Sequence, residues 1–527
     1  MKLFKLNTIL GLTAVIAFTA CQKKFEDYSG NNNLPQTVPP GVVLRSILGD
    51  VGNSVGTGGT SDKAGQYIVS NYTYYGDNKY WNGSADLNYG TLNDILSMED
   101  LANAAYSGDS QNPYHALGLF LRAYFFVNMT EKVGDLPMTE ALQRITNIAP
   151  KYDSQKDIFK QSLAWLDSAN IILTSNIANG VLEFSGDFYF NPSDNSTNVR
   201  DALIHWQKVV NSYRLRVLTE LSKKADDPEL NVKAQFASIL ADPVKYPLIG
   251  GNEDNLQYVY NSTYNYYPDN PQNYGNNAGR LNVAATYLNT LSDLHDLRAM
   301  VIAEPARGLG FADTDFRSFK GGESGDDLGT LATESGAGRL SLYNFNHYYS
   351  TYTAEPTIIV GYGETALNIA EAINRGWVTG SADTWYQTGV KAMFAFYGIK
   401  DGDNTVTFRK ADGTGNLTFT VTFNFADYFN QPAVKYAGDN ATGLNQILTQ
   451  KYLAYFRNSG YQGYYLWRRT GIPTFSTGTG TGNGGIIPRR FQYPGNETST
   501  NGDNLKAALQ SQYGGSDDIT KDVWIVQ

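Results

Sequence analysis

The sequence predicts a mostly α-helical protein, in which paired helices, arranged as in tetratricopeptide folds, stand beside a loop-rich half with one small β-hairpin. Three observations support this class. Apolar residues recur at helical spacing through much of the first half, the middle is rich in Asn, Tyr, Gly and Pro, and one later stretch alternates like a β-strand. No clean 34-residue repeat is visible, so we expect helix pairs without a regular array.

The predicted helices carry start and stop signals. The segment 113–135 opens on Pro113, which suits the first helical position, and closes at Gly134. The segment 153–176 begins with an Asp or Ser cap, and 198–227 has basic residues in its last turns, where they favour the helix dipole. Further helices are predicted at 357–376, 381–398 and 443–458.

The remaining segments are predicted as loops and one hairpin. Two Gly-rich stretches, 250–279 and 321–338, contain few aliphatic residues, and we expect no buried element in the first; the C-terminal region is predicted to be irregular. Two alternating runs in 405–423 flank Asp412-Gly413, a turn signal, and predict a β-hairpin. Because no linker divides the chain after about residue 45, we expect a single domain over 46–527.

Composition and net charge limit the classes of function that the chain can have. The 527 residues carry a formal charge of -10 without any basic stripe, which excludes a nucleic-acid partner because phosphate binding needs clustered Lys and Arg. The chain has 37 Tyr, 25 Phe and 7 Trp. Tyrosine combines an apolar face with a polar tip, so it suits recognition surfaces but also fills cores. After the N-terminus no apolar run is long enough to predict a transmembrane helix.

The N-terminal residues have the pattern of a lipoprotein signal peptide. Lys2 and Lys5 precede the apolar stretch 9–18, which is too short to span a bilayer. Thr19 and Ala20 then lead to Cys21, the only cysteine in the chain, and this pattern resembles a bacterial lipobox. The resemblance implies cleavage after residue 20 and acylation of Cys21. The alternative is a plain signal peptide with a free thiol.

The segment that follows the cysteine is polar and contains Pro, so 21–45 is predicted to be an acylated N-terminus and tether between the membrane and the folded body. The predicted organisation is therefore a lipoprotein signal peptide over 1–20, the tether over 21–45 and the single domain over 46–527.

Several blocks of the body resemble one family. They run in the same order as in the SusD/RagB family of nutrient-binding outer-membrane lipoproteins, and together with the lipobox they identify the chain as similar to its SusD-like branch. The blocks are NPYHALGLFLRAYFFVNMTEKVGDLPMTEAL, PKYDSQKDIFKQSLAWLDSAN, HWQKVVNSYRLRVLTELS, AEAINRGW, YQTGVKAMFAFYGI, ILTQKYLAYF, LWRRTGIP and RRFQYPGNE.

This resemblance implies a fold, a partner and a location. The fold would be four tetratricopeptide-like helix pairs beside an irregular half, and the partner a SusC-like TonB-dependent outer-membrane barrel on which the protein sits as a lid. The ligand would be an oligosaccharide, bound without chemical conversion. As in Bacteroidetes lipoproteins, Cys21 would anchor the protein to the outer membrane, with the charged residues after it indicating display on the cell exterior. The departures from the family lie in the loop 250–279 and the hairpin 405–423.

No catalytic or metal motif stands out. The four histidines are scattered, no Gly-x-Ser-x-Gly elbow occurs, and the glycines of 480–485 lack the strand and helix of a dinucleotide site. We therefore predict no catalytic residue, no metal ligand and no cofactor. Asp401 to Asn404 is predicted as a polar turn into the hairpin, since the distal Glu of a calcium loop is missing; structural calcium elsewhere stays open.

Ligand contacts are predicted in Tyr-rich loops, because a sugar offers C–H faces to aromatic rings and hydroxyls to planar polar groups. One tract covers 70–90, a second covers 258–277, and 343–352 is a third. Arg468 and Arg469 are predicted as structural ion-pair residues. The predicted ligand-binding residues are Tyr75, Trp81, Tyr266, Tyr74, Tyr264, Tyr267, Asn78 and Asp269.

Three other functions stay open at the sequence level. A lipid-anchored glycoside hydrolase would use paired carboxylates, whose separation in space the sequence does not give. A SusD-like carrier of peptides would also suit Tyr-rich loops. A scaffold whose helix pairs bind only protein would need no small ligand. The sequence leaves the sugar, its linkage, the affinity and the stoichiometry of a transporter complex undetermined.

Overall fold

The computed structural model describes residues 38–56, 59–73, 77–457 and 459–527, and about half of the chain is helical. The described α-helices are α1 Pro40–Ser54, α2 Thr60–Ala64, α3 Tyr89–Ala105, α4 Pro113–Val133, α5 Gln155–Asn179, α6 Val199–Glu220, α7 Val232–Ala241, α8 Tyr274–Asn277, α9 Ala285–Asp293, α10 Arg298–Ile302, α11 Leu328–Gly336, α12 Tyr362–Asn374, α13 Ala382–Phe396, α14 Phe425–Asn430, α15 Ala441–Ala454, α16 Gln462–Thr470, α17 Glu497–Thr500 and α18 Gly502–Tyr513. The predicted mostly helical class is confirmed.

Local chemistry sets the ends of the long helices. The Asn112 side chain accepts a hydrogen bond from the His115 amide at the start of α4, and Pro113 occupies the first helical position as predicted. Ser154 caps α5 by accepting from the Asp157 amide, and Gly180 ends that helix in the left-handed conformation that glycine adopts without strain. Each cap satisfies backbone groups that a helix end leaves unpaired.

The long helices pack as successive neighbours, which is the paired arrangement that the sequence predicts. Helix α1 packs on α3, α3 on α4, α4 on α5 and α5 on α6. Helix α6 then contacts α12, which packs on α13 and α15. The first described helix begins at Pro40, inside the segment predicted as a tether, and Leu44, Ile47 and Leu48 are fully buried. Packed structure thus begins before residue 46.

The described residues form three two-stranded antiparallel sheets. The strands are β1 Ile68–Ser70, β2 Leu256–Tyr258, β3 Leu281–Val283, β4 Thr357–Val360, β5 Gly402–Arg409 and β6 Asn416–Phe423. Strand β1 pairs with β3, β2 with β4, and β5 with β6. The last pair is the predicted hairpin, with Gly402 opposite Phe423 and Arg409 opposite Asn416. The Asn404 side chain closes the polar turn into it by accepting from the Lys400 amide (2.9 Å).

Three segments differ from prediction. Residues 357–360, predicted as the start of a helix, form β4, because Thr-Ile-Ile-Val is a buried β-branched run that suits a strand. The predicted loop 321–338 contains α11, capped by the Asp327 side chain. The C-terminal region, predicted to be irregular, contains α18.

The segment 250–279 is also less exposed than expected. The expectation that it holds no buried element is wrong, because Leu256 pairs in a sheet and Tyr267 is fully buried. Tyrosine supplies the apolar area here that aliphatic residues supply elsewhere.

The described residues form two large hydrophobic cores and one small cluster of Val69, Ala284, Leu331 and Leu340. One fills the helical half and includes Phe120 and Trp206. The other fills the loop-rich half and is built largely from tyrosines, among them Tyr67, Tyr287 and Tyr452. The hydroxyls of Tyr67 and Tyr452 reach backbone acceptors, as in the bond from Tyr67 to the Tyr452 carbonyl (3.1 Å), so these two buried tyrosines are satisfied at both ends. Much of the tyrosine content is therefore structural.

Buried ion pairs join α16 to the helical half. Arg468 pairs with Glu131 of α4, and Arg469 pairs with Glu371 of α12 at 2.5 Å. Lys451 of α15 reaches the same Glu371 carboxylate at 3.0 Å. These contacts confirm the prediction that Arg468 and Arg469 are structural ion-pair residues.

Candidate functional site

Several predicted residues lie outside the described part of the chain. These are the signal peptide 1–20, Cys21 and the tyrosines Tyr74 and Tyr75. Within the described residues, no helix is long and apolar enough to cross a membrane, and no group of three or more His, Cys, Asp or Glu side chains is placed to hold a metal ion.

The structure joins the start of the first predicted tract to the segment that follows the second. Strand β1, which leads into the first tract, pairs with β3, which follows the second. The Asn71 amide donates to the Arg280 carbonyl (3.0 Å), and the Arg280 guanidinium lies 4.7 Å above the ring of Tyr72. Tyr72 keeps 47% of its surface exposed. The start of the first tract therefore lies beside the residues that directly follow the second tract.

In the first tract, Trp81 and Asn78 are held by the protein itself. The indole of Trp81 stacks on Phe491 with ring centroids 4.0 Å apart, and its Nε1 donates to the Arg490 carbonyl (3.0 Å). Asn78 is buried and bridges both backbone groups of Ser70. One edge of Trp81 still lines a cleft of about 200 Å³, which Lys63 also lines.

In the second tract, neighbouring residues have opposite environments. Tyr264 is 86% exposed, whereas Tyr267 is fully buried against Tyr260. Tyr266 is half-buried with its ring 4.6 Å from that of Tyr352. Asp269 is buried in an ion pair with Arg457 (2.6 Å). Tyr264 and Tyr266 are therefore accessible to a ligand, while Tyr267 and Asp269 are buried; Asn78, although buried, lines the cleft beside Trp81.

Two larger clefts open at opposite ends of α11. The first has a volume of about 420 Å³ and is lined by Thr73, Asp77 and Lys79 from the first tract and by Asp326 beside the helix. The second has a volume of about 510 Å³ and is lined by Tyr274 from the second tract, and by the hairpin. Both volumes fall in the range typical of small-ligand sites.

The second cleft combines aromatic rings with charged groups. Tyr274 and Phe345 lie 4.7 Å apart at 74°, and the Arg409 guanidinium covers them, 4.8 Å and 4.0 Å from the two ring centroids. The Glu304 carboxylate, also in the lining, accepts hydrogen bonds from the Phe345 and Arg409 amides. Burial raises the pKa of Glu304 to about 7.

Sequence reasoning missed most of this second cleft. Tyr274 and Phe345 fall inside the second and third tracts but were not singled out there, and Arg409 falls inside the predicted hairpin. The missing signal is tertiary, because the π-helical turn Phe345–Tyr349 and strand β5 are distant in sequence and meet in the fold, where Glu304 accepts from both and the Asn346 side chain donates to the Thr407 carbonyl (3.2 Å). A lone acidic residue in a stretch without periodicity gives no sign of that role.

Comparison with known families and structures gives a consistent result. The SusD-like family model, described as starch-binding and associating with the outer membrane, matches residues 55–494. Among curated proteins, none matches the chain.

Solved structures share the fold over nearly the full length. One SusD homologue from Bacteroides fragilis is 26% identical with a TM-score of 0.77, covering 93% of this chain and 100% of that one. Another from the same species is 26% identical with a TM-score of 0.74 and the same coverage. A chitin-binding SusD homologue from Flavobacterium johnsoniae is 19% identical with a TM-score of 0.66, covering 92% and 97% of the two chains. This last likeness is one of fold.

Proposed function

The chain belongs to the SusD-like family of carbohydrate-binding proteins associated with the outer membrane, and from this premise we propose that it captures an oligosaccharide at the cell surface and delivers it to a SusC-like TonB-dependent transporter. The protein would act by binding alone, as an accessory to the transporter and not as an enzyme. Cys21, acylated, would hold it to the outer membrane facing the exterior.

One observation supports the proposal: the β1–β3 pair joins the start of the first tract to the residues that follow the second, and each tract contributes residues to one of the two clefts beside α11. Exposed Tyr264 and Tyr72 present ring faces on which a sugar can stack. Asp77 and Thr73 offer hydrogen-bonding groups in the first cleft. The chitin-binding relative from Flavobacterium johnsoniae shares this fold, which supports a polysaccharide fragment as the ligand.

Calorimetric titration of the purified protein against a panel of neutral and acidic oligosaccharides tests capture. We expect saturable binding of at least one glycan and a loss of affinity of about thirtyfold in a Tyr264→Ala, Tyr266→Ala double variant, because stacking on aromatic rings contributes roughly 1 kcal/mol per ring. Tyr106→Ala is the matched control, since Tyr106 is also half-buried but lies at the end of α3 in the helical half.

Two further measurements separate the alternatives. Release of reducing sugar by the purified protein, abolished in Asp326→Asn, would support a glycoside hydrolase acting through the acidic first cleft and would contradict binding alone. Saturable binding of peptides with no binding of any glycan would support a peptide carrier instead.

Co-purification of a barrel protein with the full-length chain tests delivery, and repeated failure to recover one would count against it.

A further inference from the structure

The cleft of about 510 Å³ beside the hairpin is positively charged, although the whole chain carries a formal charge of -10. Its lining includes the cations Arg307, Arg409 and Lys410, and Glu304 is the one carboxylate among the lining residues that the structure describes. A cationic recess on an acidic protein creates a local potential opposite to that of the surrounding surface.

The two hairpin cations are available to a ligand. Neither Arg409 nor Lys410 forms an ion pair with any described carboxylate. Arg409 donates one hydrogen bond, from Nη2 to the Gly413 carbonyl (3.0 Å), and otherwise rests on the aromatic rings. Lys410 is exposed at the edge of the cleft. By contrast Arg307 is neutralised by a two-point contact with Asp313 at 2.9 Å and 3.0 Å.

The nearby acids offset these cations only weakly. Glu304 uses its carboxylate to accept the Phe345 and Arg409 amides, and its burial favours the uncharged form. Asp412, in the hairpin turn, accepts from the amide (2.9 Å) and the hydroxyl (2.7 Å) of Thr414 and contacts neither cation within ion-pair distance. The cleft therefore keeps a net positive charge next to two aromatic rings.

We propose that this cleft binds the anionic group of an acidic sugar residue, a carboxylate or a sulfate, with Arg409 and Lys410 as the binding cations and the Tyr274 and Phe345 rings flanking the sugar. The guanidinium of Arg409 is a fork of donors that matches either anion. This inference rests on the proposed glycan capture and adds the class of glycan.

Two matched ligand pairs test the proposal by calorimetry. The first is an oligogalacturonide and its carboxyl-reduced, neutral counterpart. The second is a carrageenan oligosaccharide and its desulfated counterpart. We expect the acidic member of at least one pair to bind about tenfold more tightly than its neutral partner. The pair that shows the difference distinguishes a carboxylate from a sulfate.

Variants connect the preference to this cleft. The Arg409→Gln, Lys410→Gln double variant should lose the preference for the acidic glycan. The single variant Lys410→Gln is made as well, because a change at this exposed position should leave the fold intact and so separates a loss of charge from a loss of folding. Lys435→Gln removes an exposed cation that does not line the cleft and should keep the preference. Raising the salt concentration should weaken only the acidic ligand, because mobile ions screen the attraction.

The possible failures are distinguishable. Three results would overturn the acidic-sugar proposal: equal affinity for the acidic and neutral members, a preference that persists in the double variant, or no binding of any of the four oligosaccharides. Glycan capture would still stand if a glycan of the larger panel binds. Absence of binding to every glycan in the full panel would overturn the proposed function itself.

Discussion

Glu220 is a carboxylate buried in the ionic cluster between the helices. It lies near Arg216, Glu131, Glu364 and Lys451, and neither of its side-chain oxygens has a hydrogen-bond partner in the described structure. Burial raises its pKa from 4.5 to about 8. Between these two values the folded protein holds a proton that the unfolded chain releases, so Glu220 makes the protein less stable as the pH rises through this window.

Replacing Glu220 with Gln should remove that pH dependence. Comparing pH 5 with pH 8, we expect the wild type to lose about 3 kcal/mol more free energy of unfolding than Glu220→Gln, because the amide does not titrate. Asp135 and Asp187, whose pKa values burial raises to about 6, act in the same direction and do so equally in both proteins. Urea unfolding at the two pH values measures the difference, and parallel profiles would contradict it.

Trp81 can be tested as a structural residue independently of any ligand. Trp81→Ala removes the stack on Phe491 and the bond to Arg490, and we expect it to lower the free energy of unfolding by about 3 kcal/mol. Trp81→Phe keeps a ring against Phe491 and should cost only about 1 kcal/mol. Thermal or urea unfolding checks both values. Tyr264→Ala is the control, expected within about 0.5 kcal/mol of wild type because its ring is 86% exposed.

At the scale of elements, Glu304 joins two pieces of the cleft wall that are distant in sequence. Its carboxylate accepts from Phe345, which begins the π-helical turn, and from Arg409, which ends β5. Glu304→Ala would leave both amides without an acceptor, so we expect faster hydrogen exchange at 345–349 and 405–409 and a loss of about 2 kcal/mol in stability. Glu304→Gln keeps an acceptor oxygen and should exchange like the wild type; equal exchange in all three proteins would show that the bonds are unimportant.

Elements with local signals could be predicted, and those that depend on tertiary partners could not. The hairpin was predictable because its alternation and Asp412-Gly413 turn act over a few residues. Strand β4 was not, because it pairs with β2 about 100 residues away. The same limit explains the site: Tyr264 and Tyr267 are equivalent by composition, yet only the fold buries one of them.

At the scale of the whole molecule, the helical and loop-rich halves are joined by shared aromatic residues. Trp81, Trp385, Tyr436 and Tyr461 each pack against both hydrophobic cores. Since the ion pairs of α16 cross to the helical half as well, the two halves are held together by apolar and charged contacts at once. Clefts built on the loop-rich half are therefore supported by the helices behind them, which suits a site that must be ready before its ligand arrives.

Membrane attachment and ligand capture should be separable, because the predicted anchor is Cys21 and the first described helix begins at Pro40. We expect Cys21→Ser to abolish acylation and to move the protein out of the outer-membrane pellet, since no described helix could hold it there in place of a lipid. Glycan affinity of the purified variant should stay within about twofold of wild type, as all the cleft residues lie beyond Pro40. Fractionation with labelling by a fatty-acid probe, followed by calorimetry, measures both. Retention in the pellet without acylation would mean that a protein partner, such as the barrel, is enough to hold the protein at the membrane.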